Sequence, residues 1–374
     1  MNRARLTTLI VAALLVISIA LVVSTRRNTS QQSHDALLFP NLAGEVSTIS
    51  LLELRKGSAT ASVSLHKKGD QWTVAQRADY PADVSKLRKL LLSLSDAKIV
   101  EEKTSDPANY SVIGVEDPSK ANAGGAQVDF TVKDGSRSLI VGKSSGESSF
   151  VRRSSEKTSY LVAPSIYVEP EPRLWIDTKL IDIPADSIDR IEYKPVGGTP
   201  YSVHRVAPPP AAPAPATPAA SAATAPAPQA PQPPQYVLEG APSGRKPADS
   251  PTLAPSPSVF GNVTADDVAA AADIDFSKPV TTLLTMKDGG TITLTGTVIG
   301  DKHWIQINAP KDAALTGRVS GRAFQVAGYR YDGLFRPLEQ LLVPKPAPPD
   351  KNAKPESPAQ APKPAASKQQ PNAP

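Results

Sequence analysis

The sequence predicts an α+β protein in which an N-terminal transmembrane helix precedes a duplicated, mainly antiparallel β-sheet module with few helices. An apolar N-terminal run, two similar hairpin sequences and one amphipathic helix pattern predict this fold. Two proline-rich stretches lack the apolar side chains that would offset the entropy of ordering, so we interpret them as disordered. The predicted parts are an anchor (1–27), a first α+β unit (37–182), a second α+β unit (183–343) with a Pro/Ala insertion (207–234), and a Lys/Pro tail (344–374).

The predicted anchor is an uncharged apolar run, residues 6–23, which lies between two pairs of arginines. At about 1.5 Å per residue, a helix of this length nearly spans a hydrocarbon layer about 30 Å thick. The alternative is a cleaved signal peptide, but its apolar region usually has only about 7–15 residues. The free amino terminus adds positive charge on the short side, which favours a body outside the cytoplasm. In a bacterium, this predicts an inner-membrane protein whose body faces the periplasm.

Charge and composition exclude several classes of function. The formal net charge is +5. The arginines before residue 28 and the lysine-rich tail together carry a positive charge larger than this total, so the net charge of the folded middle is slightly negative. A nucleic-acid-binding protein concentrates basic residues on its fold, so we predict no nucleic-acid partner. The chain has no cysteine, which excludes disulfides, thiolate catalysis, cysteine zinc sites and a lipidated N-terminal cysteine.

The duplication is predicted from two hairpin sequences. One is VDFTVKDGSRSLIVG, which begins at Val128, and the other is TTLLTMKDGGTITLTG, which begins at Thr281. Both alternate apolar and polar residues on either side of Asp-Gly, a strong hairpin signal. Each is followed by a further strand-like run, SSFVRR in the first unit and HWIQIN in the second. The sequence therefore predicts that one antiparallel module occurs twice.

The Pro/Ala insertion is predicted to be an enlarged hairpin loop of the second unit. The repeat aligns residues 71–74, QWTV, with residues 235–238, QYVL, and thereby aligns the turn at 67–70 with the whole insertion. Loop closure costs only about 0.6 kcal/mol for each doubling of length, so such an insertion is tolerated. The alternative is a linker between two independent domains, with the similarity due to generic hairpin composition.

The clearest helix outside the anchor follows Tyr80. Apolar residues recur at helical spacing from Val84 to Leu94, and Asp83 can cap the first turn. The corresponding region of the second unit contains prolines, so only short helical pieces are expected there. One of them is expected to start after Thr264 as N-cap, with Asp266 and Asp267 in its first turn.

Several stretches resemble the bacterial family known as domain of unknown function 4340. They cover most of residues 44–191, and the second unit more weakly. The stretches are QWTV from Gln71, YPAD from Tyr80, IGVEDP from Ile113, LIVG from Leu139, SYLV from Ser159 and the run 174–183. The resemblance implies a membrane-anchored envelope protein, of the kind often found beside transporters of the gliding-motility ABC type. It implies no activity and no site residues.

No motif identifies a reaction, so we predict no catalytic, cofactor-binding or metal-ligating residue and no cofactor. Residues 141–144, VGKS, lack the earlier glycine of a phosphate-binding loop because position 137 is arginine, and we interpret them as a turn. The tryptophans at 72, 175 and 304 lie next to β-forming residues, which predicts core or sheet-face positions. The histidines lie far apart and show no ligand spacing: His34, His66, His204 and His303.

These observations predict a non-enzymatic, single-span envelope protein that acts as a binding or accessory component of a membrane complex such as an ABC-type transporter. Its expected partners are the membrane and transporter or other envelope subunits. Two alternatives stay open. One is an envelope hydrolase that uses paired carboxylates brought together by the fold. The acidic pairs of the sequence have simpler interpretations, since Glu169 and Glu171 flank Pro170 in a predicted solvated loop and Asp266 with Asp267 suits a helix N-terminus. The other alternative is a passive cell-wall spacer.

Overall fold

Antiparallel β-structure dominates the chain. The computed structural model describes residues 36–58, 60–206 and 234–344. Within these residues, the strands form a nine-stranded sheet, an eight-stranded sheet and a two-stranded sheet, while the helices are few and short. The prediction of an α+β protein with mainly antiparallel sheets is confirmed.

Strands are numbered in chain order. The first sheet contains β1 (Leu51–Arg55), β2 (Val63–Lys68), β3 (Gln71–Val74), β4 (Tyr80–Pro81), β5 (Lys98–Glu102), β6 (Ala126–Val132), β7 (Gly135–Ser145), β8 (Ser148–Arg153) and β9 (Ser159–Ala163). The two-stranded sheet contains β10 (Lys179–Ile181) and β14 (Val263–Thr264). The second large sheet contains β11 (Ile188–Lys194), β12 (Tyr201–Val206), β13 (Gln235–Glu239), β15 (Asp267–Ala270), β16 (Val280–Met286), β17 (Thr291–Ile299), β18 (Lys302–Asn308) and β19 (Arg322–Val326).

The helices connect these strands. The α-helices are α1 (Leu42–Glu45), α2 (Val84–Ser95), α3 (Tyr110–Ile113), α4 (Ser250–Leu253), α5 (Ala313–Val319) and α6 (Gly328–Leu334). Short 3₁₀ turns lie at Val46–Thr48, Ala75–Arg77, Pro107–Asn109, Pro172–Trp175, Ala185–Ser187, Ser256–Phe260, Ala271–Asp273 and Leu338–Leu341.

The two large sheets share one topology. Their strand orders are β4-β3-β2-β1-β6-β7-β8-β9-β5 and β13-β12-β11-β16-β17-β18-β19-β15, so they correspond strand by strand once β4 is set aside. The registers also correspond, since Leu65 lies opposite Val74 in the first unit and Val203 lies opposite Leu238 in the second. These pairs agree with the alignment of QWTV and QYVL, so the two units repeat both the strand order and the pairing.

Strands β12 and β13 flank the Pro/Ala insertion. They are antiparallel neighbours, with His204 opposite Val237. The insertion therefore connects two strands of one hairpin, at the place where Gly69 and Asp70 connect β2 to β3. The structure describes nothing between residues 206 and 234, so the predicted disorder of this segment lies outside the described residues.

The two units share one hydrophobic core, which contains buried side chains from both large sheets. Tyr80 on β4 and Phe324 on β19 meet edge to face, with ring centroids 5.4 Å apart. Arg322 on β19 donates hydrogen bonds to the carbonyl oxygens of Ala78 and Asp79, at 3.0 and 3.2 Å. Because both of these residues have positive φ angles, the arginine of one unit holds a left-handed turn of the other.

The predicted helix and tryptophan positions are confirmed. Helix α2 spans Val84–Ser95, and the Asp83 carboxylate accepts hydrogen bonds from the amides of Ser85 and Lys86. Its buried face contains Leu87, Leu90, Leu91 and Leu94. The three tryptophans are buried: Trp72, Trp175 and Trp304. Local capping and periodicity therefore suffice to specify this helix.

The prediction of a helix after Thr264 is wrong. Asp267–Ala270 forms the edge strand β15, which pairs with β19, and Ala271–Asp273 is a 3₁₀ turn. An isolated helix of this length is marginal in water, whereas pairing with β19 satisfies the backbone of the segment. The helical pieces of this region are instead α4 and the turn at Ser256–Phe260.

The interpretation of residues 141–144 as a turn is wrong. They are part of the long strand β7. The register shifts between Val141 and Ser144, which marks an irregularity in the strand at Gly142. A Cβ at Gly142 would overlap the carbonyl oxygen of Ile113, so glycine lets the loop after α3 pack directly on the strand. The interpretation that these residues form no phosphate-binding loop is unaffected.

The predicted anchor, residues 1–27, lies outside the described residues, as does the tail from residue 345 onwards. Among the residues that the structure does describe, no helix has both the length and the apolar character needed to cross a membrane.

Candidate functional site

The structure places the histidines apart from one another. His66, His204 and His303 lie on β2, β12 and β18, while His34 lies outside the described residues. Within the described ranges, no group of three or more His, Cys, Asp or Glu side chains could hold a metal ion. His303 instead packs against Tyr331, with ring centroids 5.0 Å apart.

Two of the four carboxylates in the acidic pairs, one from each pair, form ion pairs. Glu171 pairs with Arg173, and Asp267 pairs with Arg77 across the two units. Among the described residues, the carboxyl groups with a clearly displaced pKa have a lowered pKa, chiefly because they accept hydrogen bonds: Asp117, Asp182, Glu239 and Asp249. The acid of a glycoside hydrolase requires the opposite, a raised pKa.

A cavity of about 670 Å³ lies in the second unit. It is formed by the β11–β12 hairpin, the loop at 240–243, the start of β16 at 280–282 and the C-terminal segment at 335–338. Its volume falls within the range of about 300–1,000 Å³ that is typical of ligand sites. Its lining is rich in rings, namely the aromatic rings of Tyr193, Tyr201 and Phe335 and the pyrrolidine rings of Pro195, Pro242 and Pro337.

A tight hairpin aligns two tyrosines in this cavity. Gly197 has a φ of 65°, a left-handed conformation that favours glycine, and the chain turns there from β11 to β12. Tyr193 consequently lies opposite Tyr201, and their rings stack with centroids 5.3 Å apart and 27° between the planes. Only 2% and 5% of these residues are exposed, so the tyrosine pair forms the buried side of the cavity.

The equivalent positions of the first unit have different side chains. The matching registers make Leu54 and Val63 the counterparts of Tyr193 and Tyr201, and Leu54 and Val63 also lie opposite each other in a hairpin. Both are fully buried aliphatic residues. The two units therefore keep the same backbone pairing here, while the second carries aromatic rings and hydroxyl groups.

Two hydrogen bonds fix the C-terminal wall of the cavity. The hydroxyl of Tyr201 donates to the carbonyl oxygen of Arg336, and the hydroxyl of Thr282 donates to that of Leu334, each at 2.7 Å. Thr282 is fully buried, which protects its hydrogen bond from water. The wall is thus attached to both β12 and β16, so the cavity has a defined shape before anything binds.

The hydroxyl of Tyr193 is buried and has no hydrogen-bond partner within the described part of the chain. Burial raises the pKa of Tyr193, so the hydroxyl is a neutral donor at physiological pH. A buried polar group without a partner costs about 1–3 kcal/mol. A neutral and inaccessible hydroxyl is unsuited to act as a base, so the contribution of Tyr193 to the cavity is its ring.

The hairpin that carries Tyr193 and Tyr201 lies within residues that match a known protein family. The family model described as Domain of unknown function (DUF4340) matches residues 72–236. These residues belong to the DUF4340 family. No curated protein and no solved structure matches the chain.

The DUF4340 match begins at Trp72 on β3 and ends at Tyr236 on β13. These two positions are equivalent in the repeat, so the DUF4340 match extends over one repeat length, from the first unit into the second. It includes the hairpin with Tyr193 and Tyr201, whereas the other three walls of the cavity follow it in the sequence.

The sequence prediction named no site residue and missed this cavity. The detectable signal is the stretch YKPVGGTPY from Tyr193, in which a tyrosine and a proline lie on each side of a Gly-Gly turn. The remaining walls could not be assigned, because they come from segments that are 40 to more than 130 residues away in the sequence and meet only in the fold.

The two tyrosines are expected to respond differently to loss of the hydroxyl. Tyr193→Phe should leave the free energy of unfolding unchanged or raise it by up to about 1 kcal/mol, because it removes a buried hydroxyl without a partner. Tyr201→Phe is the matched control and should lower it by about 1 kcal/mol, because the hydrogen bond to Arg336 is lost. Urea unfolding measures both. Equal losses would show that Tyr193 already has a partner.

Proposed function

We propose that this chain is a non-enzymatic, single-span envelope protein whose cavity binds a segment of a partner in a membrane complex, such as an ABC-type transporter. Residues 6–23 form its anchor in the bacterial inner membrane, and the two-unit body lies in the periplasm. The length of the apolar run supports the anchor. The resemblance to membrane-anchored envelope proteins found beside ABC transporters supports the choice of partner.

The observation that carries this proposal is the cavity of about 670 Å³ itself, which is lined by the aromatic rings of Tyr193, Tyr201 and Phe335. Apolar cavities with a few oriented polar groups are typical of binding sites. Among the residues lining the cavity, Lys194 has the only charged side chain, and no carboxylate or histidine is present. This chemistry suits the binding of an uncharged segment better than the transfer of a proton.

Affinity purification of the full chain in mild detergent tests the proposal. Ala241 lines the cavity and is half-buried, so Ala241→Trp should fill the space that a partner segment would occupy. We expect transporter subunits, identified by mass spectrometry, to co-purify with the wild-type chain and to fall at least about tenfold with the plugged variant, as for the loss of about 1.4 kcal/mol of binding free energy.

Val298→Trp is the matched control, because Val298 is half-exposed on β17 and does not line the cavity. This variant should recover the same subunits as the wild-type chain. Recovery of no membrane partner, or equal recovery with the plugged variant, would contradict the proposal. Both variants should first be shown to unfold at wild-type urea concentrations, so that loss of binding is not loss of folding.

A further inference from the structure

We propose that the proline-rich segment after residue 344 of this same chain binds in the cavity through its first proline cluster, residues 346–349, PAPP. This inference rests on the proposed function in one respect, namely that the cavity is a binding site. It adds an occupant and a form of regulation: the chain's own segment competes with the partner for the same space.

The lining of the cavity has the chemistry that recognises proline-rich segments. Such segments adopt the polyproline II conformation and dock in grooves lined by aromatic rings. Tyr193, Tyr201 and Phe335 supply aromatic rings here. A polyproline II segment makes no internal hydrogen bonds, so its carbonyl oxygens are free to accept. These free carbonyl oxygens can accept hydrogen bonds from water at the open edge of the cavity, while the proline rings pack on the aromatic lining.

The described chain ends next to the cavity. The amide of Val343 donates to the carbonyl oxygen of Lys246 at 2.9 Å, and Leu342 forms a bridge with Pro247. Lys246 is three residues from Ser243, which lines the cavity. Three residues of chain span at most about 11 Å. Five residues in polyproline II conformation span about 15 Å, so residues 345–349 are long enough to reach the cavity.

Charge also favours this cluster over the rest of the segment. Residues 346–349 are uncharged, while Lys345 and Asp350 flank them. Binding of the cluster would therefore bury rings and backbone without removing a charge from water. The lining contributes one lysine and no carboxylate, so it offers no ion pair to the lysines that follow in the segment.

Tethering makes weak binding sufficient. A segment held close to its site by a short connection has an effective concentration in the millimolar range. A site with a dissociation constant near that value would be about half occupied by the chain's own segment. A partner would then bind more weakly to the full chain than to a chain whose cluster cannot dock, so the segment would set a threshold for partner binding.

Disulfide trapping in the purified full chain tests the inference, because the natural chain has no cysteine. Ser243→Cys at the exposed edge of the cavity is combined with Ala347→Cys in the cluster. The rate of disulfide formation in a glutathione buffer is compared with that of the same pair in a chain where prolines 346, 348 and 349 are replaced by serine. We expect the rate to fall at least about tenfold, because serine removes the ring contacts but keeps the tether.

The Ala241→Trp plug should produce the same fall in rate as the serine substitutions, and this arm needs no partner. An unchanged rate in either variant would overturn the inference, since it would show that the segment is near the cavity but not in it. Disulfides mainly between chains would also overturn it. If the purification recovered no membrane partner but disulfide trapping still depended on the prolines, only the proposed function would be contradicted. Failure of the proposed function can therefore be distinguished from failure of this inference.

Discussion

Replacement of Tyr80 by alanine is expected to lower the free energy of unfolding by about 3–5 kcal/mol, the range typical of large buried aromatic residues. Tyr80 is fully buried where the two units meet. Its ring packs against Phe324, and Arg318 donates a hydrogen bond to its hydroxyl at 3.0 Å. Alanine would leave a cavity in the core that the units share, and it would leave the guanidinium of Arg318 without this acceptor.

Tryptophan fluorescence during urea unfolding measures this effect in both units, since Trp72 lies in the first and Trp304 in the second. Single-tryptophan chains should show one coincident transition for the wild-type background, and a lower midpoint for Tyr80→Ala at both positions. Tyr80→Phe is the matched control, because it keeps the ring and should lose only about 1 kcal/mol. Separate transitions in the wild-type background, or a loss below about 1 kcal/mol for Tyr80→Ala, would contradict a shared core.

Replacement of Gly142 by alanine has the second large expected effect, a loss of about 3 kcal/mol. A Cβ at this position would overlap the carbonyl oxygen of Ile113 and lie 2.8 Å from that of Gly114. Both contacts are with backbone, so a side-chain rotation cannot relieve them. Strand β7 and the loop after α3 would have to separate. This would disturb the small hydrophobic cluster that Tyr110, Val115 and Ile140 form.

Gly317→Ala is the matched control for this prediction. Gly317 lies in α5, and a Cβ there would meet no atom within 4 Å. Alanine should therefore raise the free energy of unfolding by about 0.5–1 kcal/mol, because glycine is a poor helix former. Thermal or urea unfolding of the two variants checks the pair. Similar small effects in both would show that the loop does not pack closely on Gly142.

Tyr80 and Gly142 also lie in stretches that carry the family resemblance. Tyr80 opens the stretch YPAD, which continues into Asp83, the cap of α2. Gly114 in the stretch IGVEDP packs on Gly142 in the stretch LIVG. The recognisable stretches are therefore packing and capping positions. They indicate the fold and carry no information about a reaction.

The repeat could be predicted from the sequence because its signals are local. Alternating residues around Lys-Asp-Gly specify a hairpin, and the structure pairs Phe130 and Leu284 with equivalent strands of their units. Helix α2 was predictable for the same reason, since Asp83 and the leucine spacing lie within one short stretch.

The failures of the sequence prediction arise from contacts between distant segments. The alanines of Asp267–Ala270 have helical propensity, but pairing with β19 decides their conformation. Gly142 lies in a sequence that is typical of a turn, but glycine is needed there because a Cβ would overlap the carbonyl oxygen of Ile113. The cavity requires the hairpin at Tyr193 to meet the segment at Phe335, and no local pattern encodes that meeting.

Site-specific photo-crosslinking in intact cells tests the central claim, that the cavity of the second unit is where this protein binds its partner. A benzophenone amino acid replaces Thr199, which is exposed and lines the cavity, or Val298, which does not line it. We expect the full-length chain to form a crosslink to a membrane-complex subunit from position 199 and not from position 298. Crosslinks from neither position, or equally from both, would contradict the claim.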